Sequence, residues 1–321
     1  MTSVKKFFSN RSALVALIVI FLLAALRYPG IYSGANIYNL LRQNSMIGLI
    51  AVAMTMVILT GGIDLSVGAI CSMVSVISAY LSITENPAII LLLPLFIGTL
   101  FGFLNGVIVA KMNVAPIISS LGVQLIARGI SLVMTNGETM HISGNAKKWL
   151  PEIAKISVGP LPLIFLIFLV FSLIYIYILK YKKFGRQIYA VGGNEEAAKM
   201  MGVRVDIIKI AVYTVSGFAS ALAGLILVSR AGTGQPVACN GWEMNAIAAV
   251  AIGGTSLAGG IGKIETTIYG VFILAIIGNI INLQGNVNAW WQQIITGLLL
   301  IIVLMMQVLS EHRNAKIAQE M

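Results

Sequence analysis

The sequence predicts an all-α polytopic membrane protein with about ten transmembrane helices. Of its 321 residues, 58% are hydrophobic and only 10% are charged, whereas soluble domains carry roughly 25% charged residues. Continuous apolar runs such as 161–181 are far longer than the alternating segments of about ten residues that a transmembrane β-barrel requires. Because no stretch is long and polar enough for a separate soluble domain, residues 1–321 are expected to form a single transmembrane domain.

Ten apolar runs are candidate membrane crossings, because a spanning helix needs about 20 apolar residues. They cover residues 12–26, 45–60, 65–84, 88–110, 116–136, 161–180, 207–229, 244–258, 264–283 and 289–309. The first run resembles a signal peptide, but it has no small-residue cleavage site before Arg27 and Tyr28. It is therefore interpreted as an uncleaved first helix.

The basic residues predict the orientation of the chain. With a cytoplasmic amino terminus and ten crossings, fourteen of the 21 Lys and Arg residues fall in inside segments and six in outside segments. This bias agrees with the positive-inside rule and places both termini in the cytoplasm. Arg128 lies within a span, so it is expected near a polar cavity, a dimer interface or a cluster of carbonyl groups.

A glycine-rich break follows the second apolar run. The stretch TGGIDLSVGAI (residues 60–70) places Gly61, Gly62, Asp64, Ser66 and Gly68 between two spans. Irregular backbone at membrane depth is tolerated only where protein or a water-filled cavity satisfies it. Two interpretations of Asp64 remain open. Its carboxylate either accepts hydrogen bonds from the start of the next helix, or it lines a path across the membrane.

A second glycine pair suggests an internal repeat. Gly253 and Gly254 begin a stretch that shares the pattern G-G-x-x-L-x-x-G with residues 61–68, and Asn113–Val114 has a weaker echo in Asn286–Val287. In the predicted topology the helices before both glycine pairs run outside to inside, so a parallel repeat is expected. Chance coincidence is the alternative, since the chain has 32 glycines. Repeats with broken helices near the transport path are common in transporters.

The longest predicted cytoplasmic loop covers residues 181–209. Asn194 is a plausible N-cap, Glu195 and Glu196 fall in a first helical turn, and Gly202 is a stop signal. A short surface helix here could dock into a soluble partner; a solvated loop is the alternative. The chain itself carries no G-x-x-x-x-G-K-[ST] motif for ATP.

Residues for covalent or metal chemistry are sparse in this sequence. The only histidines are His141 in a predicted outside loop and His312 in the tail, and Cys71 and Cys239 have no metal-binding spacing. No nucleophile lies beside a base. The basic residues flank apolar runs, so nucleic acid is not an expected partner. The sequence therefore predicts neither an enzyme nor a cofactor-binding protein.

Three motifs together resemble the membrane permease subunits of bacterial sugar ABC importers, in the ribose/xylose/arabinose/galactoside class. They are TGGIDLSVGAI, VGGNEEAAKMMGV (191–203) and AVAIGGTSLAGGIGKI (249–264). The likeness covers about residues 35 to 308. The string EAA-x-x-x-G, from Glu196 to Gly202, is shared in looser form across ABC permeases, and its usual continuation with a later I-x-L-P is absent.

The resemblance implies a multi-pass protein of the bacterial inner membrane that works with partners. A second permease subunit, identical or paralogous, would complete the pathway. A cytoplasmic ATPase holding ATP and Mg would bind the 181–209 loop, and a periplasmic binding protein would deliver a pentose or hexose. The residues expected to couple to the ATPase are Glu195, Glu196, Ala197, Ala198 and Gly202.

Uncharged polar side chains in the spans are the candidates for the translocation path, together with the two glycine breaks. The amides chosen are Asn44, Asn105, Gln124, Asn279 and Asn282, with Gln292 and Gln293 also in a span. Each could instead form a helix–helix hydrogen bond. Trp290 and Trp291 fit an interfacial aromatic belt, and sugar stacking is the alternative.

Two other transport functions remain as alternatives. A secondary transporter driven by ions usually needs buried acids, but the predicted spans offer only Asp64 at a break and Glu243 beside an outside loop. Within the ABC class a nucleoside permease is a neighbour, because uncharged polar residues do not separate sugars from nucleosides. The form G-G-I-D-L-S-V-G-A favours a sugar.

Overall fold

The computed structural model describes residues 12–285, 288 and 290–319. The predicted basic segment before residue 12 and the pair Asn286–Val287 lie outside the described residues. Within the described residues the fold consists of thirteen α-helices, two short 3-10 helices and two small two-stranded sheets. The prediction of an all-α membrane protein is thereby confirmed.

The helices follow one another with short connections. Their bounds are α1 Ser12–Arg27, α2 Gly34–Leu59, α3 Val67–Leu81, α4 Pro87–Lys111, α5 Pro116–Thr135, α6 Ala146–Ile153, α7 Leu163–Tyr181, α8 Lys183–Gly193, α9 Glu195–Met200, α10 Val205–Ala231, α11 Trp242–Ile252, α12 Ile264–Gln284 and α13 Trp291–Gln319. The 3-10 helices are Pro29–Tyr32 and Ser82–Thr84. One antiparallel sheet pairs β1 (Met140–His141) with the distant β4 (Thr233–Gly234), and the other is a hairpin of β2 (Ser157–Val158) and β3 (Leu161–Pro162).

Seven of the described helices are long and apolar enough to cross a membrane. They are α2, α3 with the 3-10 turn that follows it, α4, α5, α7, α10 and α12. Three shorter apolar helices, Ala13–Arg27, Trp242–Ile252 and Trp291–Met306, occupy the other three predicted runs. Each predicted run thus coincides with a helix, but the count of ten crossings stays a prediction for the three short ones.

The buried core of the fold is built around α2 and α3, which are apolar on every side. The second half of α2, from Met46 to Leu59, and α3 from Val67 to Ala79 are almost entirely buried. By contrast, α4, α5 and α7 bury little of their length. Helices that are hydrophobic all round suit either a core or a lipid environment, so α4, α5 and α7 form the outer layer around α2, α3 and α10.

Glycines on one face of α4 allow a close approach to α10. Gly98, Gly102 and Gly106 follow one another at intervals of four residues. A Cβ atom on Gly102 would lie 2.5 Å from the Tyr213 carbonyl oxygen and 2.7 Å from the Cα atom of Gly217. Small residues at this spacing let helix backbones pack directly in membranes, and the α4–α10 pair is the most extensive helix contact.

Both predicted glycine breaks are real interruptions, and they use the same turn. At the end of α2, Gly61 has φ +79° and its N–H donates to the Ile58 carbonyl at 2.8 Å. At the end of α11, Gly254 has φ +85° and donates to Ala251 at 2.9 Å. The two turns therefore align Gly61 with Gly254, whereas the shared sequence motif aligns Gly61 with Gly253. The internal duplication stays a prediction.

Candidate functional site

A buried carboxylate fastens the first break to three helices. Asp64, between α2 and α3, is 0% exposed. Its Oδ1 accepts hydrogen bonds from the Ser66 N–H at 3.0 Å and the Ser66 hydroxyl at 2.6 Å. Asn105 on α4 donates to the same oxygen at 3.2 Å. The hydroxyl of Ser216 on α10 donates to Oδ2 at 2.7 Å. A buried carboxylate needs such partners, and here they come from separate helices.

The network around Asp64 extends one step further. Ser119 on α5 donates to Asn105 Oδ1 at 2.6 Å, and the Tyr213 hydroxyl donates to the Ile63 carbonyl at 3.2 Å. We call Asp64, Ser66, Asn105, Ser119 and Ser216 the Asp64 hub. Because Ser66 is the residue just before α3, the carboxylate does bond to the start of the next helix. It faces other side chains and no open cavity, and its role in transport stays a prediction.

Gly68 is not part of the break itself. It lies in the first turn of α3, next to the carboxylate of Glu243. A Cβ at this position would lie 2.5 Å from Glu243 Oε2 and would also collide with the Cys239 carbonyl. Gly68 therefore leaves room for residues of the α10–α11 connection.

Three chain segments meet backbone to backbone at the ends of α2 and α8. The N–H of Gly260 donates to the Leu59 carbonyl at 3.0 Å. A Cβ on Gly192 would collide with that same carbonyl, and one on Gly259 would lie 2.9 Å from the Gly61 nitrogen. We call residues 59–62, 192–193 and 259–260 the glycine junction. It joins both helix breaks directly to the predicted coupling loop, with no side chain between them.

The predicted coupling loop forms two short helices, α8 and α9. Asn194 caps α9 as the sequence predicts, with its Oδ1 accepting from the Ala197 N–H at 2.9 Å. Glu195 forms ion pairs with Lys199 at 2.8 Å and with Lys209 of α10 at 2.6 Å. Partial burial raises the pKa of the Glu195 carboxyl, but the hydrogen bonds and charges of the two lysines lower it further, so its pKa lies below the usual range.

The exposed face of α9 differs from the predicted set of coupling residues. Ala198 is fully buried, and Glu195 is bound to its lysines. Glu196 is exposed, Met200 is 89% exposed and Met201 is 72% exposed. Gly202 follows with φ +79° and ends the segment. Two adjacent methionines in a polar loop were a signal in the sequence that the motif comparison overlooked.

An amide-rich cavity lies at the opposite end of α11 from the glycine junction. It has two adjoining chambers of about 360 and 300 Å³, which share Asn240, Asn245 and Gln293 as lining residues. Its six amide side chains are those of Gln43, Asn44, Asn240, Asn245, Gln292 and Gln293. Trp242, Trp290 and Arg230 line the first chamber, and Glu243 lines the second. We call both chambers together the amide cavity.

The family described as "Branched-chain amino acid transport system / permease component" matches residues 36–304. The chain belongs to this permease family. The ribose import permease protein of Haemophilus influenzae is 41% identical to this chain over 309 residues, covering 94% of this chain and 93% of the relative. The corresponding protein of Bacillus subtilis is 38% identical over 91% of this chain and 90% of its own.

A xylose transport system permease protein of Escherichia coli is 31% identical, covering 94% of this chain and 92% of the relative. No solved structure matches the chain significantly. These relatives are transport components and confirm the resemblance that the three motifs indicated. With its apolar helices, the permease is a multi-pass protein of the inner membrane.

The amides predicted to line a path in the permease are divided among several environments. Asn44 lines the amide cavity, while Asn105 belongs to the Asp64 hub. Asn279 on α12 exchanges two hydrogen bonds with Asn36 on α2, at 2.9 and 3.2 Å. Gln124 faces the Glu243 carboxylate, and Asn282 is exposed and lines neither chamber. Of these five amides, only Asn44 therefore lines the amide cavity.

Arg128 and the two cysteines fix the connection between α10 and α11. The Arg128 guanidinium donates to the Ser72 hydroxyl at 3.2 Å and to the Pro236 carbonyl. The bond to the Pro236 carbonyl agrees with one of the three environments expected for Arg128, that of carbonyl groups. The sulfurs of Cys71 and Cys239 are buried 3.0 Å apart, although they are distant in sequence. These contacts hold the loop that carries Asn240 against α3.

We predict that two substitutions of Asp64 distinguish the effect of its charge from the effect of its hydrogen bonds. Asp64→Ala removes the acceptor for donors on three helices and should cost about 1–3 kcal/mol for each buried donor left unsatisfied. Asp64→Asn keeps one acceptor oxygen and should unfold much closer to wild type in a detergent melting experiment. If Asp64→Ala melts at the wild-type temperature, the hub does not stabilise the break. If Asp64→Asn melts normally but no longer transports, the charge itself is required.

The glycine junction offers a matched pair of substitutions. Gly192→Ala places a methyl group against the Leu59 carbonyl, and overpacking of this kind costs about 1–3 kcal/mol. Gly193→Ala meets no atom within 4 Å and is the control. We expect only the first variant to lower the melting temperature of the purified permease. Equal melting temperatures for the two variants would contradict the direct backbone contact.

Proposed function

We propose that this permease is the membrane-spanning subunit of an ATP-binding-cassette importer for a monosaccharide of the pentose or hexose type. The observation that carries the proposal is full-length similarity to ribose and xylose permeases at 31–41% identity. The glycine-broken helices support it as well, because irregular backbone at membrane depth is typical of transport proteins. The permease carries out no covalent chemistry in this proposal.

The proposed partners follow from the same relatives. A cytoplasmic ATPase binds the exposed face of α9 and holds ATP and Mg. A periplasmic sugar-binding protein delivers the substrate at the opposite surface, and a second permease subunit, identical or paralogous, completes the pathway. This arrangement places α8, α9 and both termini in the cytoplasm, in agreement with the excess of basic residues predicted on that side.

The glycine junction supplies a route for mechanical coupling. A partner that moves α9 also moves α8, whose end packs against Leu59 and Gly260 at the junction. The Glu195–Lys209 ion pair connects α9 to α10 as well. Closure of the ATPase would thus reach the end of α2 and the connection between α11 and α12 through direct contacts. Packed segments of this kind shift as units, because protein interiors deform little.

We expect the tagged permease to copurify with an ATPase whose activity rises when a sugar-loaded binding protein is added. The preparation would be made in nanodiscs, with D-ribose, D-xylose and a nucleoside tested in parallel. Stimulation by a pentose supports the proposal, and stimulation only by the nucleoside contradicts the sugar assignment. Uptake by the permease alone under an ion gradient would instead identify a secondary transporter.

The exposed face of α9 is tested by Met200→Glu. A charge on this 89% exposed side chain leaves the α9 fold intact but should abolish docking to an apolar groove of the ATPase. We expect loss of the copurifying ATPase with an unchanged melting temperature. Val158→Glu, which changes an exposed apolar residue on the β2–β3 hairpin, is the control. Retention of the ATPase by Met200→Glu would show that α9 docks by another face.

A further inference from the structure

We propose that the amide cavity is a transit site that binds the hydroxyl groups of the sugar during its passage, with Asn240, Asn245 and Gln293 as their central partners. This inference rests on the proposed function, because it takes the substrate to be a neutral sugar. The argument comes from the unused hydrogen-bonding groups of the cavity, its aromatic surface, its size and its place along α11.

Glu243 lies at the edge of the second chamber, but its carboxylate is turned toward Gly68 of α3. The side chain is only 6% exposed, and its Oε1 accepts from the Gly241 N–H at 3.3 Å. Oε2 is buried and has no hydrogen-bond partner among the described residues. Because Oε2 lies against Gly68, Glu243 forms part of the wall of the chamber and is not itself a partner for the sugar. Gln124 and the charge of Arg128 act on the same carboxylate.

The shared amides are the unused hydrogen-bonding groups of the cavity. Asn240, Asn245 and Gln293 line both chambers, and their side-chain amides form no hydrogen bond within the described part of the chain. Each amide offers one acceptor oxygen and two N–H donors, so it can pair with neighbouring hydroxyls that donate and accept. A ligand that moves from one chamber to the other keeps the same three partners.

The first chamber supplies apolar surface beside the amides. Trp242 and Trp290 line it, and indole rings offer a flat apolar face for the C–H side of a sugar ring. Arg230 adds further donors there. The chamber volumes of about 360 and 300 Å³ lie at the lower end of small-ligand sites. This size and mixture of groups suit a small neutral ligand rich in hydroxyl groups, such as a monosaccharide.

The position of the cavity connects it to the predicted coupling machinery. The cavity lies at the first residues of α11, and the second glycine break follows its last residue, Ile252. With 11 residues, α11 spans about 16 Å between the two. A displacement of the glycine junction is therefore transmitted along one short helix to Asn245 and Glu243, which changes the shape of the site.

Uptake by the complete transporter tests the transit site. The permease is reconstituted in proteoliposomes with its ATPase and binding protein, and the initial uptake of radiolabelled D-ribose and D-xylose is measured. Asn240→Ala, Asn245→Ala and Gln293→Ala should each lower uptake roughly tenfold, since each removes a hydrogen bond to the sugar. ATPase stimulation by the loaded binding protein should remain. Gln284→Ala, an exposed amide outside both chambers, should transport as wild type.

Each other outcome has a definite meaning. Uptake by the three variants at the wild-type rate overturns the transit site and leaves the proposed function intact. Loss of ATPase stimulation along with uptake also overturns it, because the residues would then serve assembly. A wild-type complex that takes up neither pentose nor any hexose overturns the proposed function, and this inference with it.

A labelling experiment provides a second, independent measurement. Asn245→Cys introduces a thiol into the cavity, whereas Cys71 and Cys239 are fully buried, so the parent chain serves as the blank. We expect a small hydrophilic thiol reagent to modify the new cysteine, and D-ribose or D-xylose at high concentration to slow the reaction several-fold. Equal rates with and without either sugar would overturn the proposal.

Discussion

The Asp64 carboxylate, held by donors from α3, α4 and α10, is the interaction on which the centre of the permease depends. A break between two spans leaves backbone groups without helical partners, and the bilayer offers no water to satisfy them. The hub solves this by placing an acceptor beside the start of α3 and tying it to neighbouring helices. The break is thereby fixed in position, and α3 remains buried in the core.

The hub and the glycine junction lie on either side of the same turn and have complementary roles. Hydrogen bonds to Asp64 hold α3, α4 and α10 together, while the junction brings Leu59 and Gly260 into contact with the end of α8. The hub depends on polar side chains, whereas the junction depends on the absence of side chains. Together they connect the interior of the helix bundle with α9, the surface proposed to receive the ATPase.

Much of this architecture could be predicted from sequence because it depends on local properties. Apolar length located the helices, glycine pairs located both breaks, and Asn194 with two acidic residues located the start of α9. The glycines at 98, 102 and 106 share a helical face and were a signal that the sequence analysis did not use, but only the structure shows that their partner is α10. The number of membrane crossings was harder to predict from the sequence, because α11 is an apolar helix of only 11 residues.

The partners of individual side chains could not be predicted, because they come from distant parts of the chain. Asp64 meets Ser216, Asn279 meets Asn36, and Cys71 meets Cys239 only once the helices have packed. Motif resemblance had the same limit on α9, where it grouped the buried Ala198 with the exposed Glu196. A sequence motif identifies a segment, but burial decides which of its residues a partner can contact.

The backbone contact at the glycine junction has a consequence for the conditions under which the permease works. Ion pairs on exposed surfaces weaken as dissolved salt screens their charges, so the bonds between Glu195 and its lysines respond to ionic strength. The contact between Leu59 and Gly260 joins uncharged peptide groups, and the packing of Gly192 against it involves no charge either. Any motion that passes through the junction is therefore insensitive to the salt concentration of the surrounding solution, even where the attachment of α9 is not.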